Sequence, residues 1–155
     1  MRIRFCSWSL VCVFLAAATI APAAPALKDR APKEAPIFGE WFRVGHTEAG
    51  APVPPDRDAH HQVFSKDGKW EYSYGGRPDG NPGKSFTTDT RQSPATIDIS
   101  LGAAGKAHWR GIYKVDGDTL TLCLVTGDRE RPKTFESTAD RPTTIWIFKR
   151  VKPKD

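Results

Sequence analysis

Sulfur is scarce in this chain, with three cysteines and one methionine in 155 residues. Cys6 and Cys12 fall within the first 26 residues, so a product cleaved after them keeps only Cys123. One thiol forms no internal disulfide, which leaves the fold to be held by its core. A lone free cysteine ordinarily packs as a small hydrophobe, and Cys123 is read as structural. No apolar run reaches the ~20 residues that a membrane-spanning helix needs. A convincing helical period is lacking as well, so the expected class is all-β. Charge of one sign is also in short supply. The net charge is +5, and loss of Arg2 and Arg4 with a leader lowers it to +3. That balance is too weak to argue for a nucleic-acid partner.

Residues 1–26 have the make-up of a cleaved signal peptide, with a retained N-terminal anchor as the alternative. Arg2 and Arg4 open it, an apolar run follows over 10–20, and Ala21-Pro22-Ala23 and Ala24-Pro25-Ala26 are small-x-small cleavage sites. Val11 before Cys12 is too bulky for a lipidation motif. Residues 27–36 read as a linker of Ala, Pro and charge. The folded domain is expected over 37–151, exported to the periplasm, cell envelope or exterior. No stable membrane span remains after cleavage.

What is present is β pattern and turn chemistry. Short strands are predicted at 37–44, 60–64, 69–74, around Phe86, and at 96–101, 108–115, 119–125 and 144–150. Trp70, Tyr72 and Tyr74 alternate with Lys69, Glu71 and Ser73, which puts the aromatics on one face. Asp116-Gly117 lies between two such runs and predicts a two-residue type I′ hairpin turn. Asp67-Gly68 is a second hairpin signal. Residues 47–55 are turn-rich, 75–83 read as a loop without regular structure, and 126–132 as a charged loop. The last strand is apolar on both faces, which favours closure of a barrel by pairing it with the first. An antiparallel barrel of about eight strands is the expected architecture.

The run Gly111-Ile112-Tyr113, Asp116-Gly117-Asp118, Leu120, Leu122-Cys123 is followed by Arg131-Pro132 and Phe135, and then by Phe148-Lys149-Arg150. Upstream stands Pro94-Ala95-Thr96-Ile97-Asp98-Ile99. Together these resemble an uncharacterised lipocalin-like domain family of planctomycete type, often exported and without assigned activity. The resemblance spans 37–150 and implies a lipocalin/calycin-like barrel with the signal segment outside it. Gly39-Glu40-Trp41 looks like the Gly-x-Trp of a first lipocalin strand, with Arg150 as the basic residue that caps Trp41. Such a cation–π contact is worth about 0.5–2 kcal/mol. Gly39, Trp41, Asp116, Gly117, Cys123 and Arg150 are therefore the expected structural residues.

No catalytic constellation is visible, and no enzyme activity, metal or cofactor is expected. Adjacent His60 and His61 on a strand face opposite ways. Asp56, Asp58 and His60 alternate as metal ligands can, but two prolines before Asp56 make a solvated turn the better reading. Ser65 and Ser73 lack a nucleophile elbow. Two readings of function remain. In the first, Trp70, Tyr72, Tyr74, Phe86 and Tyr113 line a lumen for a small apolar ligand, with Arg131 or Arg77 at the rim for an acidic group. The same aromatics would otherwise fill a solid core. In the second, a filled barrel serves as a non-catalytic cell-envelope interaction module through an outer face carrying Trp109 or Trp146.

Overall fold

The computed structural model describes residues 36–54, 60–80, 82–102 and 108–152. The signal expectation for 1–26, nearly all of the 27–36 linker, and Asp56 and Asp58 lie outside them. The described residues contain strands and no helix. In chain order these are β1 (Gly39–Glu48), β2 (Ala51–Pro52), β3 (His60–Phe64), β4 (Trp70–Tyr74) and β5 (Arg77–Pro78). They continue as β6 (Ser85–Asp89), β7 (Ala95–Ser100), β8 (Trp109–Asp116), β9 (Thr119–Thr126) and β10 (Thr144–Arg150).

All ten belong to one antiparallel sheet, in the order β5-β4-β3-β1-β10-β9-β8-β7-β6, with β2 attached to β1. The sheet curls into a barrel-like shape. Its β6 end returns to the start of β4, where the Phe86 amide donates to the Gly68 carbonyl at 2.8 Å and the Trp70 amide to the Lys84 carbonyl at 3.3 Å. Lys69 and Ser85 form a single bridge there rather than a ladder.

First and last strands pair as expected, from Trp41 opposite Arg150 to Glu48 opposite Thr144. Their place in the sheet differs from the expectation, because β1 and β10 sit mid-sheet and the seam lies between β4 and β6. The two apolar faces of β10 therefore do not mark closure. Trp146 and Phe148 face inward and are buried, while Ile147 on the outer face is 37% exposed. Two short strands, β2 and β5, were also not expected. Each adds two residues to a neighbour's free edge, where a proline that donates no ladder hydrogen bond is tolerated.

The central hairpin turns one residue later than predicted. Asp116 pairs with Thr119, so Gly117 and Asp118 make the turn, and only Gly117 has a positive φ, +55°. Positive φ at the first central position alone is the type II′ pattern, not type I′. The inward set decides this register. It places Val115 against Leu120 and Tyr113 against Leu122, whereas a turn at Asp116-Gly117 would set Asp118 opposite buried Val115.

Along β1 the register shifts between Arg43 and Gly45, a bulge that throws Val44 outward. Trp41, Arg43 and His46 consequently share the inner side, opposite Arg150, Phe148 and Trp146. The inner face packs Trp41, Phe64, Trp70, Phe86, Ile97, Ile99, Tyr113, Leu122 and Phe148 into one core. Outside β8 and β9 lies a second apolar layer. Ile112, Cys123 and Val125 point away from that core yet are buried, because the segment at 127–143 crosses over them.

Candidate functional site

Most of the sequence-nominated aromatics line the inner surface. β3 turns His60, Gln62 and Phe64 inward, and β4 sets Tyr74, Tyr72 and Trp70 directly beside them. Trp70 Nε1 donates to Gln62 Oε1 at 3.2 Å, which satisfies two polar groups buried in the core. His60 Nδ1 and the Tyr72 hydroxyl are 2.5 Å apart, and the His60 ring meets Tyr74 edge-on at 4.7 Å. His61 faces the other way, to Glu40 at 3.0 Å on the outer surface.

From Trp70 the aromatic surface continues across the interior. Trp109 meets Trp70 edge-to-face at 5.8 Å, and Trp146 meets Trp109 the same way at 5.3 Å. His46 and Phe148 flank Trp146 at 6.3 and 6.4 Å. Antiparallel order brings the second half of β1, the start of β3, the end of β4 and the starts of β8 and β10 to the same end of the sheet. One group there stands out chemically. Trp146 is 9% exposed, and its Nε1 is fully buried with no hydrogen-bond partner.

The nominated ligand residues divide three ways. Trp70, Phe86 and Tyr113 are 3%, 6% and 2% exposed and belong to the packed core. Tyr72 is half-buried and Tyr74 is exposed beside His60, so these two reach the surface of the aromatic end. Arg131 is on the other side of the sheet. Its guanidinium donates to the Ile97 and Gly111 carbonyls at 2.9 and 2.7 Å and to both Asp98 carboxylate oxygens at 2.8 and 2.9 Å. That fork stitches the 127–143 segment to β7 and β8. Arg77 is an exposed residue of β5. Trp109 and Trp146 are inner residues, so among the described residues the large apolar side chains exposed on the outer face are Phe42, Val44 and Ile147.

Lys84 is a buried cation that sequence reasoning passed over. It precedes β6 at the seam, lies 5.5 Å over the Trp70 ring and makes an ion pair with Asp79. Burial lowers its pKa, opposed by the nearby Glu71 charge. A lysine between glycine and serine in a loop carries no sequence signal of burial.

At the opposite corner, the Arg150 guanidinium lies 4.0 Å over the Trp41 ring. It also donates to the Phe38 carbonyl at 2.8 Å and the Pro36 carbonyl at 3.2 Å. Trp41 Nε1 donates to the Ile37 carbonyl at 2.7 Å. Gly39, at φ +127°, leaves room for this: a Cβ there would lie 2.9 Å from an Arg150 nitrogen.

Cys123 is fully buried, with Sγ 4.0 Å from the Glu136 carbonyl. Burial pushes its thiol above the ordinary 9.0, opposed by a hydrogen bond with Thr143. A raised folded value means that the thiol's contribution to stability is present below pH 9.0 and is lost as pH rises through the folded value. Iodoacetamide at about pH 8 is expected to leave Cys123 unlabelled in the native protein while labelling it in the urea-unfolded chain. Equal labelling rates for the two states would contradict the buried placement.

Among the described residues no group of three His, Cys, Asp or Glu side chains is placed to hold a metal ion. No helix among them is long and apolar enough to cross a membrane. Comparison with known proteins finds no matching family model, no matching curated protein and no matching solved structure.

Proposed function

We propose that this protein is an exported lipocalin-like module that holds a small, largely apolar ligand at the aromatic end of its barrel. In this reading β4, β3, β1, β10, β9, β8, β7 and β6 act as one ring of eight strands, closed at the Lys69–Ser85 bridge. The Gly39-Glu40-Trp41 corner under Arg150 supports the family resemblance. The composition of residues 1–26 supports export.

One observation carries the ligand reading: Trp146 Nε1 is a buried donor without an acceptor. Leaving such a group unpaired costs about 1–3 kcal/mol, which a ligand bearing an acceptor recovers on binding. The surrounding Trp109, His46 and Phe148 rings favour a flat partner. The ligand therefore sits among Trp146, Trp109, Tyr72 and Tyr74, not deep against Trp70, Phe86 and Tyr113. The seated ligand is aromatic or polyene-like with one hydrogen-bond acceptor.

Quinoline and naphthalene test this, since they differ by one acceptor nitrogen. Quinoline is expected to quench tryptophan fluorescence with a dissociation constant roughly 5- to 10-fold below that of naphthalene, the worth of one neutral hydrogen bond. Trp146→Phe should abolish that preference without changing the melting temperature by more than a few degrees. Absence of quenching by either compound, together with no co-purifying small molecule by native mass spectrometry, would sink the ligand reading. The packing of Trp70, Phe86 and Tyr113 would then favour the filled-barrel interaction module, with Phe42, Val44 and Ile147 as its outer contact face.

A further inference from the structure

The 127–143 segment does more than cover Cys123. Between it and Val125 lies a half-open cleft of about 480 Å³, on the outer face and separate from the aromatic end. That volume is in the range of small-molecule sites. Four cations line it (Arg129, Arg131, Lys133 and Arg141) against two carboxylates, Glu130 and Glu136.

Their commitments differ. Arg131 is spent on Asp98 and two strand carbonyls, and Lys133 holds Glu130 at 2.8 Å. Glu130 is kept below its usual pKa range chiefly by Lys133, with the Arg141 charge adding to it. Arg129 and Arg141 make no ion pair among the described residues, although both line the same cleft. Arg141 is held in place by its turn. Its amide donates to Thr138 Oγ1 at 3.1 Å, and the Thr138 amide donates back to its carbonyl at 3.3 Å. The floor is rigid because the Arg131 fork and the Thr143 hydroxyl bond to the Glu136 carbonyl tie the segment down.

Two uncommitted guanidinium groups over a tied-down floor suit oxyanions, planar carboxylate or tetrahedral phosphate, each of which offers guanidinium two oxygens for paired hydrogen bonds. We infer that this outer cleft is a second binding site, for a small ligand carrying a phosphate or carboxylate group, with Arg129 and Arg141 as its anion-binding residues. Glu136 at the same cleft disfavours a bare polyanion and favours a ligand with one anionic end.

Isothermal titration of the full chain at low ionic strength with phenyl phosphate and with benzoate separates phosphate from carboxylate chemistry. Titration with sodium chloride is the control for screening alone. Saturable binding of at least one of the two is expected, localised by chemical-shift changes at residues 125–143. The Arg129→Gln, Arg141→Gln double variant should weaken it by roughly 10-fold or more. Both side chains are exposed, so the variant should keep the parent melting temperature and the quinoline response. No saturable binding of either probe, or equal binding by the double variant, would overturn the inference. Chemical-shift changes confined to the aromatic end would do the same.

Discussion

Replacing Trp41 by alanine is expected to lower the unfolding free energy by about 3–5 kcal/mol, a large part of what a domain of this size has. Three contributions fall together. Trp41 is 0% exposed, so its removal leaves a ring-sized cavity at the base of the core. Its Nε1 bond to the Ile37 carbonyl disappears, and that carbonyl loses its partner at the chain's entry to β1. Arg150 loses the ring beneath its guanidinium. Urea unfolding followed by circular dichroism measures the sum. Arg150→Met, which keeps the length but removes the charge, should cost about 1–3 kcal/mol through the Phe38 and Pro36 carbonyls and the lost cation–π contact. The two effects should be non-additive, since the two side chains are in direct contact. A loss below about 1 kcal/mol for Trp41→Ala would mean that this corner does not tie β1 to β10.

Gly111→Ala is the second large effect, and it isolates sterics from backbone conformation. A Cβ on Gly111 would lie 2.1 Å from the Cys123 carbonyl oxygen and 2.6 Å from a Leu124 methyl. The nearest obstacle is backbone, so β8 and β9 must separate for the methyl to fit. The Gly111 carbonyl that receives Arg131 would move with them. We expect a loss of at least ~3 kcal/mol or failure to fold, by the overpacking cost and the weakened ladder together. Gly117→Ala is the matched control. Nothing lies within 4 Å of a Cβ there, but the residue holds φ +55°, so the cost is that of a left-handed residue alone, about 1–2 kcal/mol. Equal losses at the two glycines would show that the β8–β9 approach is looser than this geometry.

Gly111 also shows why some of the site was not legible beforehand. In the sequence it is one glycine at the head of an apolar run, with nothing to distinguish it from a turn residue. Its role appears only when Leu124, thirteen positions on, is brought opposite it and the Cys123 carbonyl oxygen is set against it. Arg131 is a sharper case. A conspicuous arginine after a charged loop reads naturally as a ligand anchor at a rim. In the fold it is consumed by Asp98 and two strand carbonyls on the outer face. Trp146 errs in the other direction. Because Ile145, Trp146, Ile147 and Phe148 are all apolar, period two cannot say which pair faces inward, and the outer face was a fair expectation for Trp146. Pairing with His46 and Leu122 turns it inside and leaves its Nε1 unsatisfied.

What the chain's order of residues determined by itself is the local part. Alternation over 69–74 and 119–125, glycine at 68 and 117, and the absence of a helical period specified strands, hairpins and an all-β class. The Trp41–Arg150 contact was also within reach, through a short motif at each end of the chain. Only the tertiary structure decided the rest: the seam at β4 and β6, the burial of Lys84, the cover over Cys123, and the division between the aromatic end and the outer cleft. The reason is one of range. Strand pattern and turn chemistry are energies between near neighbours, which are legible in the chain. Which face is buried, and which distant carbonyl a guanidinium meets, depend on how the sheet curls. That curl is set by the packing of all its strands at once.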